Sequence, residues 1–149
     1  MKFSRGFTMI ELVFVIVVLG ILASIAVPRF AATRTDAEIT KGRADIASIR
    51  SAIVTERQAQ LIVGVNTWIP TLSINTTTLF TGNGAGRTLL MYGITAGIGS
   101  GHWQSTSGTA YTYTVGTVAV PFTYTSATGI FTCSTTAAGT GEMCKTLTD

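Results

Sequence analysis

The chain opens with a long apolar segment and continues with a regular helical pattern. Residues Phe7 to Val27 are almost wholly apolar, and a helix with a rise of about 1.5 Å per residue makes this segment long enough to span a bilayer. After Phe30, apolar residues recur at spacings of seven, three and four, as one stripe of an amphipathic helix: Ile39, Ile46, Ile49 and Ile53. The pattern predicts one helix from about Phe7 to about Ile62, ended by Gly64.

After Gly64 the pattern changes to that of strands and turns. Residues 65–149 contain only four charged side chains and are rich in Thr and Gly. The segment Val115-Gly116-Thr117-Val118 offers a two-residue turn with glycine first, which is typical of a type II′ hairpin. The expected strands are Tyr111–Val115, Val118–Tyr124, with Pro121 at an edge or bulge, and Ile130–Cys133.

The remaining part of this region gives weaker signals. Leu89 to Ile94 is a candidate for a further strand entering the sheet, whereas Thr67 to Gly101 resembles a long connecting segment with local turns. We expect an antiparallel sheet of three or four strands packed on the isoleucine stripe. The predicted fold class is therefore α+β, with a long N-terminal helix against a small sheet.

One acid interrupts the apolar segment near its start. Glu11 lies one turn inside it, where a charged carboxylate costs about 2.5–3.5 kcal/mol if it sits near the bilayer centre. A cut after Gly6 supplies a partner, because it exposes the α-amino group of Phe7. This amine is poorly placed for its own Glu11 along a rigid helix but can pair with Glu11 of a neighbouring subunit. The arrangement indicates an assembly device.

These residues resemble the class III leader of type IV pilins and the related pseudopilins. The leader is short and basic, Gly6 precedes the cut, Phe7 is the first mature residue, and Glu11 is the fifth residue after the cut. Gly20 and Pro28 lie where that family carries a helix-loosening glycine and proline. The resemblance covers the first 50–60 residues and implies a prepilin peptidase that cuts between Gly6 and Phe7 and methylates the new amino group of Phe7.

The resemblance also implies an organisation and a set of partners. Residues 1–6 form the leader peptide, 7–29 a transmembrane and filament-core helix, 30–63 its amphipathic half, and 64–149 a globular β-rich head. The subunit polymerises with itself and with other pilin-like subunits, at an inner-membrane assembly platform whose ATPase supplies the work. Lys2 and Arg5 keep the N-terminus cytoplasmic, so the single-pass inner-membrane precursor ends as a periplasmic or extracellular filament.

Several alternatives stay open at this point. An ordinary signal peptide has its cleavage site at Ser24-Ile25-Ala26, but Glu11 and the continuing helical pattern argue against it. A simple signal anchor carrying an exported binding domain is the alternative from a different class of protein. Within the pilin family we favour a type IV pilin or pilin-like subunit over a pseudopilin of type II secretion, and a DNA-uptake (competence) pseudopilin is equally open.

Cys133 and Cys144 are the only two cysteines. In an exported domain such a pair predicts a disulfide, which closes a short loop and adds about 3 kcal/mol by the chain-entropy estimate. Related pilins carry a C-terminal disulfide loop at this position. The main secretion pseudopilin instead binds calcium through acids near the C-terminus, where this chain has only Glu142 and Asp149. We expect no calcium site, no other metal site and no cofactor.

The remaining candidate motifs are weak, and we expect no enzyme activity. His102 is the sole histidine and lacks an acid or nucleophile signature around it. The glycine-rich run from Thr81 to Thr88 departs from the phosphate-loop pattern at two positions. Without Lys2 and Arg5, eight basic residues face seven acids, and a formal charge of +1 does not predict a nucleic-acid surface. Nucleic acid as a partner stays uncertain.

Overall fold

The computed structural model describes residues 6–149. The chain forms two compact units, Met1–Asp36 and Ala37–Asp149. Its elements in chain order are α1 (Met9–Ile62), β1 (Thr78–Leu79), β2 (Ile94–Thr95), β3 (Trp103–Ser107), β4 (Ala110–Val115), β5 (Val118–Thr125), β6 (Ile130–Cys133) and α2 (Gly141–Thr148). This is the expected α+β composition. The predicted segment boundaries after residues 6, 29 and 63 stay predictions.

Helix α1 contributes residues to both units and matches the predicted limits to within two residues. Within it, Met9–Val27 has a mean hydropathy of 2.9 and is long and apolar enough to cross a membrane. Gly64 ends the helix as predicted, with a φ of 82°. Its N–H donates to the carbonyl of Leu61, and the N–H of Val65 donates to the carbonyl of Gln60. These two bonds are those of a Schellman cap.

The main sheet has four antiparallel strands in the order β3-β4-β5-β6, and β1 and β2 pair separately as a two-stranded sheet. The predicted hairpin joins β4 to β5, with Val115 opposite Val118 and Gly116 at a φ of 58°. All three predicted strands are confirmed to within a residue at each end.

Pro121 lies in β5, an inner strand of the sheet, but no residue of β6 pairs with it. It pairs with Thr112 of β4. The alternation of bonded and non-bonded pairs from the hairpin turn places Pro121 in a non-hydrogen-bonded pair, so its nitrogen faces away from β4. Strand β6 reaches only as far as Phe122, opposite Cys133. Pro121 is therefore at a local edge, where no donor is needed.

One core fills the second unit. The predicted stripe residues Ile46, Ile49 and Ile53 are buried against the sheet, and Ile39 packs at its border. Alternate residues of β4 and β5 face this core. Aromatic rings form its centre, with the Phe80 and Tyr111 centroids 4.5 Å apart and those of Trp103 and Phe122 5.2 Å apart. Such pairs add about 0.5–1.5 kcal/mol each beyond the area they bury.

Three parts of the head differ from the sequence prediction. The proposed strand from Leu89 to Ile94 is wrong, because only Ile94–Thr95 is a strand and it pairs with Thr78–Leu79 outside the main sheet. The fourth strand of the main sheet is instead β3, which was not predicted. Helix α2 was also not predicted, and it packs on the core through Cys144 and Leu147.

Candidate functional site

The predicted cleavage site lies on the N-terminal side of α1. Gly6 and Phe7 precede the helix, and Phe7 is 81% exposed. A Cβ at Gly6 meets no heavy atom within 4 Å. The basic leader residues Lys2 and Arg5 lie outside the described residues. The geometry thus leaves the Gly6–Phe7 peptide accessible, while its role as a cleavage site and the methylation of Phe7 stay predictions.

Glu11 forms a capping box with Thr8. Its Oε2 accepts hydrogen bonds from the Thr8 N–H at 2.8 Å and from the Thr8 hydroxyl at 2.7 Å, and the Glu11 N–H donates to the Thr8 hydroxyl at 3.3 Å. A threonine followed three residues later by a glutamate is the sequence signature of this motif. Thr8 and Glu11 have this spacing in the sequence, so the cap could have been predicted from it.

The capping box explains how this chain holds an acid at the start of an apolar helix. The carboxylate lies at the N-terminal end of α1, where the helix dipole favours negative charge. Both of the hydrogen bonds that it accepts from Thr8 go to one oxygen, Oε2. The predicted assembly role of Glu11 stays a prediction, and the local geometry leaves Oε1 as the oxygen that can accept a further donor.

The apolar half of the helix is exposed throughout. Every side chain from Met9 to Val27 is exposed, and none of this span is buried against the rest of the chain. An apolar surface of this size in water marks a membrane or protein contact. The helix continues through Gly20 and Pro28 without a break. That these two residues loosen the helix stays a prediction.

Polar side chains on successive turns of α1, from Glu38 onward, form hydrogen bonds with residues of the head. The Glu38 carboxylate accepts hydrogen bonds from the Ser100 hydroxyl and the Gly116 N–H, which holds the tip of the β4–β5 hairpin. One turn on, the Lys41 ammonium donates to the carbonyl of Gly101 at 2.6 Å. These contacts fix the segment that leads into β3.

Asp45 makes the next contact along the same side of the helix. The indole Nε1 of Trp103 donates to its carboxylate at 3.0 Å. Burial raises the pKa of Asp45, while the bond from Trp103 and the charge of Lys41 act in the opposite direction. Burial of the charged carboxylate therefore costs free energy of folding, and a pH titration can detect this cost.

A buried ion pair continues the isoleucine stripe. Glu56 is 6% exposed, and its two oxygens accept from Nε of Arg87 at 2.6 Å and from Nη2 of Arg87 at 2.9 Å. Arg87 also donates to the carbonyls of Thr67 and Trp68. The hydrogen bonding of Arg87 to the Glu56 carboxylate, which accepts, raises the pKa of Arg87. The glycine-rich run from Thr81 to Thr88 is thus a turn anchored by its arginine to α1.

The predicted disulfide between Cys133 and Cys144 is confirmed, with the two Cα atoms 5.9 Å apart. It links the end of β6 to α2. Arg43 of α1 secures the other end of α2, since its Nε donates to the carbonyl of Thr146 at 2.6 Å. A cation at a helix C-terminus is favourable for the helix dipole.

The other candidate residues remain isolated. His102 is exposed and directly precedes β3. Among residues 6–149, no three His, Cys, Asp or Glu side chains are grouped closely enough to hold a metal ion. Asn75 makes a local turn, accepting from the Thr78 N–H at 2.8 Å. The predictions on metal, cofactor and catalysis stay predictions.

Comparison with known proteins identifies the N-terminal pattern. Residues 1–27 match the prokaryotic N-terminal methylation motif. Over 50 residues the chain is 45% identical to the type II secretion system core protein G of Pectobacterium carotovorum, a match that covers 34% of this chain and 32% of the relative. It is 35% identical over 52 residues to a fimbrial protein of Pseudomonas aeruginosa, covering 35% and 34%. No solved structure matches the chain.

A third relative extends the range of similar proteins. The type IV narrow pilus major component PilA5 of Thermus thermophilus is 49% identical over 49 residues, which are 33% of this chain and 42% of that protein. The matches therefore span about a third of the length of these relatives. Residues 1–27 carry the prokaryotic N-terminal methylation motif, and a third of the chain is similar to type II secretion protein G and to type IV pilins.

Proposed function

We propose that this protein is a structural subunit of a type IV filament, made as a membrane-anchored precursor and polymerised after processing. The observation that carries this proposal is the N-terminal methylation motif in residues 1–27, which contains the exposed apolar helical segment Met9–Val27. The α+β head with its disulfide is consistent with an exported domain. The subunit acts by assembly and carries no catalytic activity of its own.

The similar proteins are compatible with two kinds of filament system. Type II secretion protein G and type IV pilins match the chain over similar lengths, so a pilin and a secretion pseudopilin both fit the N-terminal segment. The Cys133–Cys144 disulfide favours the pilin. A pseudopilin of a type II secretion or DNA-uptake system is the alternative, and loss of secretion or of transformation without loss of pili would identify it.

The proposal includes specific partners and a location. A prepilin peptidase cuts between Gly6 and Phe7 and methylates Phe7, and an inner-membrane platform with its ATPase drives assembly. The single-pass precursor resides in the inner membrane with its N-terminus in the cytoplasm. The filament then consists of copies of this chain and of other pilin-like subunits, in the periplasm or outside the cell.

Glu11→Gln tests the assembly step. In the filament, Glu11 meets the amino group of Phe7 from a preceding subunit, and this attraction strengthens as the effective dielectric falls. Desolvation opposes it, so its main effect is alignment of the subunits. Gln retains an acceptor for Thr8 but removes the charge. We expect normal cleavage, insertion and head folding with a strong loss of filaments in electron micrographs.

Two further variants separate pairing from capping. Glu11→Asp shortens the side chain but keeps the charge, so partial assembly is expected if direct pairing matters. Thr8→Val removes the cap hydroxyl and leaves the charge in place, which controls for a simple loss of helix capping. Normal numbers of filaments from Glu11→Gln cells, with normal subunit packing, would show that the pairing hypothesis is wrong.

A further inference from the structure

The chain holds a single asparagine–glycine pair, Asn83-Gly84. The pair lies in the glycine-rich run from Thr81 to Thr88, which has no part in the proposed filament role. Asn83 is half-buried and Gly84 is exposed. A side-chain amide and an unshielded backbone nitrogen therefore lie next to each other at the surface of the head.

The turn around this pair is closed at its ends. The Asn83 N–H donates to the carbonyl of Arg87 at 3.1 Å, and Arg87 is paired with Glu56 of α1. Gly84 has a φ of 70°, in the left-handed region that glycine adopts without strain. The two residues are thus held in one defined turn, and Arg87 connects that turn to α1.

The side-chain carbonyl of Asn83 is polarised by the same turn. Its Oδ1 accepts a hydrogen bond from the Ala85 N–H at 3.0 Å. A donor at this oxygen stabilises the negative charge that develops on it when a nucleophile adds to Cγ. The carboxamide of Asn83 is therefore activated toward attack at Cγ.

The backbone nitrogen of Gly84 is placed to be that nucleophile. It follows Asn83 directly in the chain, so its attack on Cγ closes a small ring. Among residues 6–149, the Gly84 N–H donates to no acceptor, so the loss of its proton breaks no hydrogen bond of the fold. Glycine has no Cβ, so no side chain of its own shields the nitrogen.

We propose that Asn83 is a site of self-modification, at which the head converts its own amide to a carboxylate. The Gly84 nitrogen loses its proton to water and bonds to Cγ of Asn83. The Cγ–Nδ2 bond breaks as Nδ2 takes up a proton and leaves as ammonia, which gives a cyclic imide. Water then adds to either imide carbonyl and opens the ring to aspartate or to isoaspartate. The net reaction consumes one water and releases one ammonia, with no oxidant or reductant.

The isoaspartate product changes the turn itself. Its main chain passes through the side-chain carbons and is therefore longer by a methylene group between residues 83 and 84. The hydrogen bond from the N–H of residue 83 to the Arg87 carbonyl spans this point, so we expect it to weaken. Arg87 is then held less firmly against Glu56, and the modified head should unfold more readily. This inference goes beyond the filament role and does not depend on it.

The other asparagines of the chain are matched controls. Asn66 and Asn75 are both exposed, and each precedes a threonine, whose branched side chain crowds the nitrogen that would attack. Oδ1 of Asn75 also accepts a backbone N–H, that of Thr78 at 2.8 Å. The proposal therefore predicts fast reaction at Asn83 and slow reaction at a site that has the hydrogen bond alone.

Uptake of heavy oxygen tests the proposal. The folded full-length protein in detergent micelles is incubated at neutral to alkaline pH in water enriched in heavy oxygen. It is then digested in ordinary water, and its peptides are measured by mass spectrometry. We expect label at Asn83 at a rate about tenfold or more above that at Asn66 or Asn75, which corresponds to about 1.4 kcal/mol in activation free energy. The rate should rise with pH, because a base removes the Gly84 proton.

Two variants separate the reaction from its consequence. Asn83→Ser keeps an acceptor for the Ala85 N–H and should gain neither label nor instability on incubation. Freshly prepared Asn83→Asp carries the aspartate product with a main chain of ordinary length. The incubated unchanged protein should unfold at lower urea concentration than either variant, which assigns the loss of stability to isoaspartate.

Other results would overturn the proposal. It is wrong if the folded protein takes up no label at Asn83, or if Asn66 and Asn75 react as fast. It is also wrong if Asn83 reacts only after the head is unfolded in urea, because the folded turn would then protect the amide. An incubated, labelled protein as stable as the fresh one would contradict the loosening of the turn.

Discussion

At the residue scale, Gly42 shows how closely α1 approaches the sheet. It lies on the buried stripe between Ile39 and Ile46, and a Cβ there is placed 2.5 Å from Cε1 of Tyr113 and 2.8 Å from Cδ2 of Leu147. The spacing of the isoleucines predicted from sequence alone which face of the helix is buried. The need for glycine could not be predicted, since it depends on the side chains of β4 and α2.

Gly42→Ala should therefore destabilise the head. Overpacking costs about 1–3 kcal/mol, which outweighs the gain of about 1 kcal/mol that alanine brings to a helix interior. Urea unfolding should show a net loss of up to about 2 kcal/mol. Ser51→Ala, at an exposed position of the same helix, controls for propensity alone. A Gly42→Ala head as stable as the unchanged protein would mean that the helix can move away from Tyr113.

Asp45 gives a prediction for pH. Burial raises its pKa above the ordinary value of 3.8, so the folded head favours the neutral carboxyl more than the unfolded chain does. The resulting contribution to stability is fully present below pH 3.8 and is lost as the pH rises through the raised pKa. Asp45→Asn keeps an acceptor for Trp103 and does not titrate.

The Asp45→Asn head should thus be more stable than the unchanged head at neutral pH, and the two should converge below pH 3.8. Unfolding free energies across this range give the measurement. Asp149→Asn, at the exposed end of α2, controls for the loss of one negative charge. A difference that is constant across the pH range would exclude the raised pKa as its cause.

At the element scale, the strands that could be predicted are those whose sequence signals lie within the strand and its turn. The hairpin of β4 and β5 has alternating Tyr and Thr and a glycine turn, so its strands were found at nearly the right residues. Strand β3 reads Trp-Gln-Ser-Thr-Ser and buries only Trp103 fully. Its pairing with β4 decides its structure, and no alternation within five residues reveals this.

Helix α2 was missed for a different reason. Its buried residues Gly141, Cys144 and Leu147 recur at intervals of three, but eight residues give too short a window for a periodicity to stand out. The disulfide was predicted from the presence of two cysteines. That it anchors a helix to β6 required the structure.

Removing the disulfide should therefore weaken α2 first. The pair Cys133→Ala and Cys144→Ala loses about 3 kcal/mol by the chain-entropy estimate, and α2 then relies on Leu147 and the Arg43 bond. Hydrogen exchange should show faster opening of α2 than of β4. Thiols of the unchanged exported protein should react only after a reductant is added. Free thiols in that protein would contradict the disulfide in the exported form.

At the scale of the whole molecule, the two units differ in how they are stabilised. The second unit, Ala37–Asp149, has its own core, a disulfide and a buried ion pair. The N-terminal unit presents the exposed apolar segment Met9–Val27, which is long and apolar enough to cross a membrane. The sequence predicted this contrast well, because it is a matter of composition along the chain.

The proposed processing step gives the prediction at this scale. Intact-mass measurement of the mature protein should show Phe7 as the first residue with one added methyl group. Gly6→Leu should leave the unprocessed precursor in the membrane. Because a Cβ at Gly6 meets nothing within 4 Å, the position has room for a side chain to begin, and a processing defect would point to the proposed peptidase.

Gly20→Ala is the matched control for this experiment, since a Cβ there also meets nothing within 4 Å and the position lies within the apolar helix. It should be cleaved and methylated normally. A mature chain that begins at Val27 in the unchanged protein would instead identify an ordinary signal peptide. In that case the exposed apolar helix would be discarded after export, and neither Glu11 nor Phe7 would be present to align subunits in a filament.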